Sequence, residues 1–340
     1  MITSRDFISP YIDRLSGQSV LVTGGNGFIG QQVVSRLLGQ DVQVTLLQRR
    51  GDRRGRSRDV LIADFSADDA DAQISAALKG RRFNAVFNLA AYGVTRPADR
   101  SAEALHHERI LARRVNVDAA KALFLHARET GCGIFLQAGT CSEYAPQEGR
   151  ALRRETDPLE SREGNDNVVY GASKAMAGEA LLALAREGGP PLVVARIFNV
   201  YGIGEKKQRL LPSLVYHLAR GQHISLSAGF QVKDYLHLDD VVEGLCAFAV
   251  AARDQNVGTV LNLCSGSPVS VAQFSRAVAE VIGHGENLLG FGERPTHPDE
   301  VSYLVGSTTA RNAFTDWRPR LPMEVGLPSV VHYMMVSTED

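Results

Sequence analysis

The segment SVLVTGGNGFIG, residues 19–30, passes from a β-branched apolar run through a glycine-rich turn into a helical pattern, FIGQQVVSRLLGQ. Gly25, Gly27 and Gly30 satisfy G-x-G-x-x-G, and Gly24, Gly27 and Gly30 satisfy G-x-x-G-x-x-G. Such a turn needs unusual backbone dihedrals and no Cβ between the chain and a pyrophosphate. The helix opened by Phe28, Ile29 and Gly30 then offers free N–H groups and a positive dipole end to phosphates. Placed between a strand and a helix, the motif reads as a dinucleotide-binding turn at the head of a βαβ unit.

Working outward, DVQVTLLQ (41–48), DVLIADF (59–65), AVFNLAA (85–91), GIFLQAGT (133–140) and PLVVARIFN (191–199) are short apolar runs separated by helical patterns. One of these is a long helix expected over about Ser101 to Glu129. Nearly continuous apolar strands alternating with helices predict a parallel sheet covered on both faces. The expected fold is therefore α/β, a Rossmann-like doubly wound parallel sheet with a smaller C-terminal α/β substrate-binding domain. Residues 1–198 are expected to form the dinucleotide-binding domain, with a return segment near 236–264, and residues 199–340 mainly the second domain. After Asn199, LLPSLVYHLARGQ reads as a helix, DDVVEGLCAFAVAA as an Asp-capped helix, and SVAQFSRAVAEVIG as a helix with a Ser start and a Gly stop. The proline-bearing tail, with Pro295, Pro298, Pro319, Pro322 and Pro328, reads as loops with short elements.

A chain of 340 residues with 44% hydrophobic and 22% charged content can bury a substantial core. Its net charge of −1 gives no global field for nucleic acid or a membrane surface. No apolar run approaches the roughly 20 residues of a membrane helix, and the polar start lacks a signal peptide's apolar core. Cys132, Cys141, Cys246 and Cys264 lack metal-site or redox spacing, and no histidine spacing suggests a metal, so none is expected. Buried free thiols and a cytoplasmic location are expected.

The end of the second strand discriminates between cofactors. A carboxylate there would bind an adenosine ribose hydroxyl, whereas arginine accommodates a 2′-phosphate. The chain reads Gln48, Arg49, Arg50, with no acid before Asp52. NADP(H) is favoured on this ground, with NAD as the alternative. Asp64 and Phe65 end the next strand where an adenine would lie, and Leu89, Ala90 and Ala91 let the backbone pass close to the cofactor.

VYGASKAMAGEALLALA (169–185) sets Tyr170 and Lys174 one helical turn apart on one face. Together with TGGNGFIG, NLAA, RRVNVDAAKAL, AGTCSEY and ARIFNVYG, in that order and spacing, it resembles the extended short-chain dehydrogenase/reductase family. The nearer resemblance is to the nucleotide-sugar epimerase/dehydratase branch, and it runs from about Ser19 to Arg318. The resemblance implies Tyr170 as general acid/base, Lys174 as its partner and ribose ligand, and Thr140 as the hydroxyl that orients the reacting oxygen. It also implies a role for Asn116 on the preceding helix. Asn199, Lys233 (where an arginine is usual) and Arg294 would contact the nucleotide sugar. An unperturbed phenol, near pKa 10, is a poor base at neutral pH. A neighbouring ammonium and a cationic nicotinamide would favour the phenolate.

The resembling 4,6-dehydratases carry an acid one or two places after the threonine. Here Cys141 and Ser142 stand there, and Glu143 follows. The expected activity is NADPH-dependent reduction of a nucleoside-diphosphate 4-keto-6-deoxy sugar at C4. The alternatives are a 4-epimerase and, from another class, a non-catalytic NADP-binding regulator on the same fold. The helices around Asn116 and Tyr170 carry apolar residues on more than one face, and the resemblance implies a homodimer through a four-helix bundle.

Overall fold

The computed structural model describes residues 9–49, 59–94, 101–161, 168–296 and 300–337. After a short helix α1 (Pro10–Asp13), the chain runs β1 (Ser19–Thr23), α2 (Phe28–Leu38), β2 (Gln43–Gln48), β3 (Asp59–Ile62), α3 (Ala70–Leu78) and β4 (Ala85–Asn88). Helices α4 (Ala102–Ala112) and α5 (Ala119–Glu129) precede β5 (Ile134–Thr140), then α6 (Val169–Arg186), β6 (Leu192–Ile197) and β7 (Asn199–Tyr201). The remainder is α7 (Leu210–Leu218), β8 (Ile224–Leu226), β9 (Val232–His237), α8 (Leu238–Gln255), β10 (Gly258–Leu263), β11 (Pro268–Ser270), α9 (Val271–Ile282), β12 (Leu289–Phe291), β13 (Tyr303–Leu304), α10 (Thr309–Phe314) and α11 (Met323–Ser337).

Seven strands form one parallel sheet in the order β10-β6-β5-β4-β1-β2-β3. The central strands β5 and β6 are buried at every position, as their unbroken apolar runs require. One face is covered by α2 and α8, through Val33, Leu37, Val241 and Leu245. The other is covered by α3, α5 and α6, through Ile74, Leu78, Leu123, Phe124 and Leu181. The chain enters at β1, builds β2 and β3 outward, then crosses back to β4. The turns after β1 and β4 therefore face one another across the switch point, where this architecture holds its ligands.

A second, smaller group of elements begins at β7. Strands β7, β9, β11 and β13 form a four-stranded sheet, and β8 pairs with β12. Helices α7, α9 and α11 enclose its core around Leu214, Leu218, Phe274, Val278, Val330 and Val331. Helix α8 and strand β10 return to the large sheet, β10 pairing with β6. Ser270 and Gln273 cap α9 reciprocally, and Gly283 ends it at φ 87°, the start and stop legible in the sequence.

Three elements differ from the sequence reading. The long helix is interrupted by a π turn at Arg113–Asp118. Helix α8 is capped by His237, whose Nδ1 accepts from the Asp239 N–H at 3.1 Å, rather than by an aspartate. The tail contains the 15-residue helix α11 with Pro328 inside it. Pro328 forfeits a bond to the Glu324 carbonyl, but Leu327, Val330 and Val331 bury against α7 and α9, and that packing prevails.

Asp234, buried on β9, holds the two groups together. Its carboxylate accepts from Ser265 N–H and hydroxyl (both 2.7 Å), Gly266 N–H (2.8 Å) and Gly306 N–H (3.2 Å). Asp234→Ala leaves those donors unpaired, the Gly306 N–H buried and the Ser265 and Gly266 groups half-buried. It is expected to lower the stability read by urea unfolding by at least about 3 kcal/mol, and an unchanged midpoint would refute this clamp.

Candidate active site

The glycine turn is dictated first by the protein's own backbone. Gly24 has φ +66°, and a Cβ there would stand 2.6 Å from the Leu89 carbonyl carbon. At Gly30 a Cβ would stand 2.1 Å from the Gly24 oxygen. These two glycines let β1, the β4 turn and α2 converge, with Phe28 and Ile29 half-buried in the first turn. Gly27 is exposed and caps α2 without a side-chain hydrogen bond, leaving the first N–H groups of an 11-residue helix for an anion.

At the strand ends, Thr23 donates to Asn88 (2.5 Å) and Asn88 to Gln137 (2.7 Å), a polar ladder across β1, β4 and β5. The Ala90 N–H donates to Thr23 (3.2 Å), which shapes the turn carrying Leu89, Ala90 and Ala91. Gln48, at the position that decides cofactor choice, accepts from Asn26 of the glycine turn at 2.7 Å. Arg49 is exposed, and its charge acts on Asp64. Burial pushes the Asp64 carboxyl up, but the Ser66 hydroxyl and N–H outweigh it and hold the group below its ordinary value. Phe65 is buried beside it. Arg50 lies outside the described residues.

Thr140 ends β5, and Tyr170 is the second residue of α6. A Cβ on Gly171 would stand 2.0 Å from the Ser142 carbonyl oxygen. The absent side chain lets α6 lie directly on the turn Cys141–Glu143, which sets Tyr170 close enough for the Thr140 hydroxyl to act on its phenol. Gly93 abuts Tyr170 from the β4 turn, where a Cβ would lie 3.7 Å from the tyrosine Cβ.

Glu143 is committed to bonds within the core, although its charge still reaches Tyr170 and Lys174. It is 0% exposed, accepts from the Thr140 N–H at 2.8 Å and pairs with Arg196 at 2.8 Å. A Cβ on Gly139 would come within 2.5 Å of its Oε1, so that glycine admits the carboxylate. Burial opposes the Arg196 charge, but Glu143 and Tyr144, whose ring lies 4.7 Å below the guanidinium, raise its pKa.

Burial, Glu143 and Cys141 push the Tyr170 phenol well above its ordinary value, while Thr140 and the charge of Arg209 offset part of this. Lys174, 2% exposed, is brought down to about 8 by burial, with Glu143 opposing. The protein's own groups therefore keep Tyr170 a neutral phenol, the proton-donating form, because desolvation outweighs the charges that reach it.

Asn116 lies at the same junction. The π turn directs it inward, where its Oδ1 accepts from the Tyr92 N–H (2.9 Å). Its Nδ2 donates to the Tyr92 carbonyl (3.0 Å) and to Ser173 (2.8 Å). Ser173 in turn donates to the Tyr170 carbonyl at 2.9 Å. Asn116 thus ties the β4 turn to α6 through both of its amide hydrogens and its Oδ1.

Strand β9 presents Lys233, whose charge reaches Cys141, and β7 presents Asn199, in register with Tyr235. Asn199 donates to the Asp234 carbonyl at 3.3 Å. Lys233 is partly committed, donating to Val301 (3.1 Å) and lying 3.8 Å from Glu300. Arg294 stands exposed after β12, its N–H on the Leu226 carbonyl. The structure gathers Thr140, Tyr170, Lys174 and Asn116 but leaves the Arg294 side chain at the surface. Sequence reading passed over Gly171, Gly139, Ser173 and Arg196, and the one visible signal was the glycine after the tyrosine in YGASK.

The residues fit a dinucleotide: the uncapped α2 N-terminus suits a diphosphate, and the buried Lys174 Nζ has no hydrogen-bond partner. Among the described residues no group of three His, Cys, Asp or Glu side chains could hold a metal, and no helix is long and apolar enough to cross a membrane. All four cysteines are buried free thiols.

Residues 20–264 match the NAD dependent epimerase/dehydratase family, and the chain belongs to it. It is similar to the dTDP-4-dehydro-6-deoxy-D-allose reductase of Streptomyces bikiniensis, 25% identical over 94% of this chain and 97% of that one. It is likewise similar to the dTDP-glucose 4,6-dehydratase of Streptomyces griseus, 28% identical over 92% of each. The solved UDP-glucose 4-epimerase of Thermotoga maritima superposes with a TM-score of 0.79 at 22% identity, covering 94% of this chain and 99% of that one.

The depressed Lys174 pKa carries a sign. Between about pH 8 and its ordinary value near 10.4 the unfolded chain binds a proton that the folded chain does not, so stability rises with pH there. Lys174→Met is expected to exceed the unsubstituted protein in stability at pH 7 by roughly 2–3 kcal/mol, the gap closing toward pH 10. Thermal unfolding across that range checks it, and a variant that melts lower at pH 7 refutes it.

Proposed function

We propose that this protein is an NADPH-dependent reductase of a nucleoside-diphosphate 4-keto-6-deoxy sugar, acting at C4. The observation that carries this reading is the Thr140–Tyr170 pair beside a Glu143 sealed into an ion pair with Arg196. Relatives of similar identity are named for reduction and dehydration alike, so the side chains must discriminate. A dehydration needs an acid at the sugar in addition to the tyrosine, and the carboxylate nearest the expected place is committed to the core. A ketone reduction needs a proton donor for the carbonyl oxygen, and a phenol held neutral is suited to that task.

In this reading Gly24, Gly27 and the first turn of α2 hold the diphosphate of the cofactor, and Lys174 holds ribose hydroxyls. The reduced nicotinamide, when bound, supplies the hydride. Thr140 donates to the carbonyl oxygen and orients it, and Tyr170 gives up its phenolic proton to that oxygen. Lys174, charged below about pH 8, then stabilises the phenolate left behind. Asn199 and Lys233 line the sugar-nucleotide side. Preference for NADPH is supported by Gln48 standing bonded to Asn26 where a carboxylate would repel a 2′-phosphate. The outward face of α6, with Ala172, Met176 and Ala183, supports a homodimer in which this helix and α5 pair with their copies.

The test is a panel of nucleotide sugars with NADPH or NADH, following loss of reduced cofactor. Consumption with 4-keto-6-deoxy sugars and NADPH is expected. Interconversion of 4-hydroxy sugars without net consumption would establish a 4-epimerase instead. Tyr170→Phe is expected to lose at least about 100-fold in kcat, and unchanged turnover would refute the mechanism. Light scattering that gives a monomer at micromolar concentration would refute the dimer.

A further inference from the structure

Glu205 lies in the loop of residues 202–209, between β7 and α7, and the mechanism above does not use it. Its carboxyl Oε2 is closed off from solvent and has no hydrogen-bond partner. Burial pushes the group up to about 7, with the Arg209 charge opposing. A carboxyl left in that condition costs stability unless something outside the chain completes its bonds.

The loop is held over the site at both ends. At Gly202 a Cβ would come 2.6 Å from the Leu238 Cβ, which pins the loop to the start of α8. Gly204, at φ +93°, faces the Phe28 ring at the mouth of the glycine cradle, where an added Cβ would lie 3.9 Å from that ring. Arg209 caps α7 at the far end, and its charge reaches both Glu205 and Tyr170. On the other side the Glu205 charge reaches Tyr235, whose register partner across the small sheet is Asn199. Glu205 therefore lies on a loop that borders the cofactor cradle, within electrostatic reach of Tyr235 beside Asn199, on the side where a sugar would lie for its carbonyl to meet Tyr170. A carboxyl that is half protonated near neutrality both donates and accepts, as adjacent ring hydroxyls do.

We propose that Glu205 binds the sugar ring of the substrate, its buried oxygen hydrogen-bonding the ring hydroxyls, so that it reads the hexose and not the nucleotide. This inference rests on the nucleotide-sugar reading above.

The test is calorimetric titration of the NADP-loaded protein with UDP-glucose against UDP, and with dTDP-glucose against dTDP, for the unsubstituted protein, Glu205→Ala and Glu205→Gln. Glu205→Ala is expected to weaken the sugar nucleotide at least tenfold while UDP or dTDP, and NADP itself, change less than twofold. Glu205→Gln is expected to fall between. Both variants are expected to melt no lower than the unsubstituted protein, since each removes an unpartnered carboxyl. Equal weakening of sugar nucleotide and free diphosphate, no weakening of either, or a lowered melting temperature would overturn the assignment while leaving the reductase reading standing. An unsubstituted protein that binds neither UDP- nor dTDP-sugars would overturn the nucleotide-sugar reading and this assignment together.

Discussion

The first turn of α6 rests on the Ser142 carbonyl, and it can do so only because residue 171 has no Cβ. That approach fixes the distance between the end of β5 and the start of α6, and hence between Thr140 and Tyr170. Asn116 ties the same turn of α6 to the β4 loop, so three elements meet at one point. A hydride-transfer site needs its donor and orienting groups held to a fraction of an ångström. Close packing of backbone on backbone supplies that tolerance, because neither partner has side-chain freedom to yield.

Burial shapes the chemistry as much as position does. Tyr170 and Lys174 are pushed toward their neutral forms, while Glu143 and Arg196 remain as a matched pair in the core. An ion pair so buried repays its desolvation only with good geometry and further hydrogen bonds. Glu143 has both, since the Thr140 N–H completes it. The same bonds secure the strand end that carries Thr140 and commit the carboxylate to the core.

The Rossmann-like sheet was legible because its signals are local and redundant. Six apolar strand runs and a glycine turn each predict the same layering, and no single error could disturb it. The capped helix α9 was legible for the same reason, its Ser, Gln and Gly acting within a few residues. The misreadings share a different origin. The π turn at Asn116, the His237 cap and the Pro328-bearing α11 each arise where tertiary packing overrules a local preference. The desolvation that raises the Tyr170 phenol was equally out of reach of the sequence, being a property of everything around it.

The amino-acid sequence by itself determined the order of elements, the glycine turn and the chemical types of Thr140, Tyr170 and Lys174, since these depend on residues near one another in the chain. Only the tertiary structure decided which groups face the substrate. It sealed Glu143 against Arg196, 53 positions away, and left Glu205 unpartnered beside the cofactor cradle. Whether a carboxylate is spent on the core or kept for a ligand depends on which charges and N–H groups reach it, and the folded chain alone brings those together.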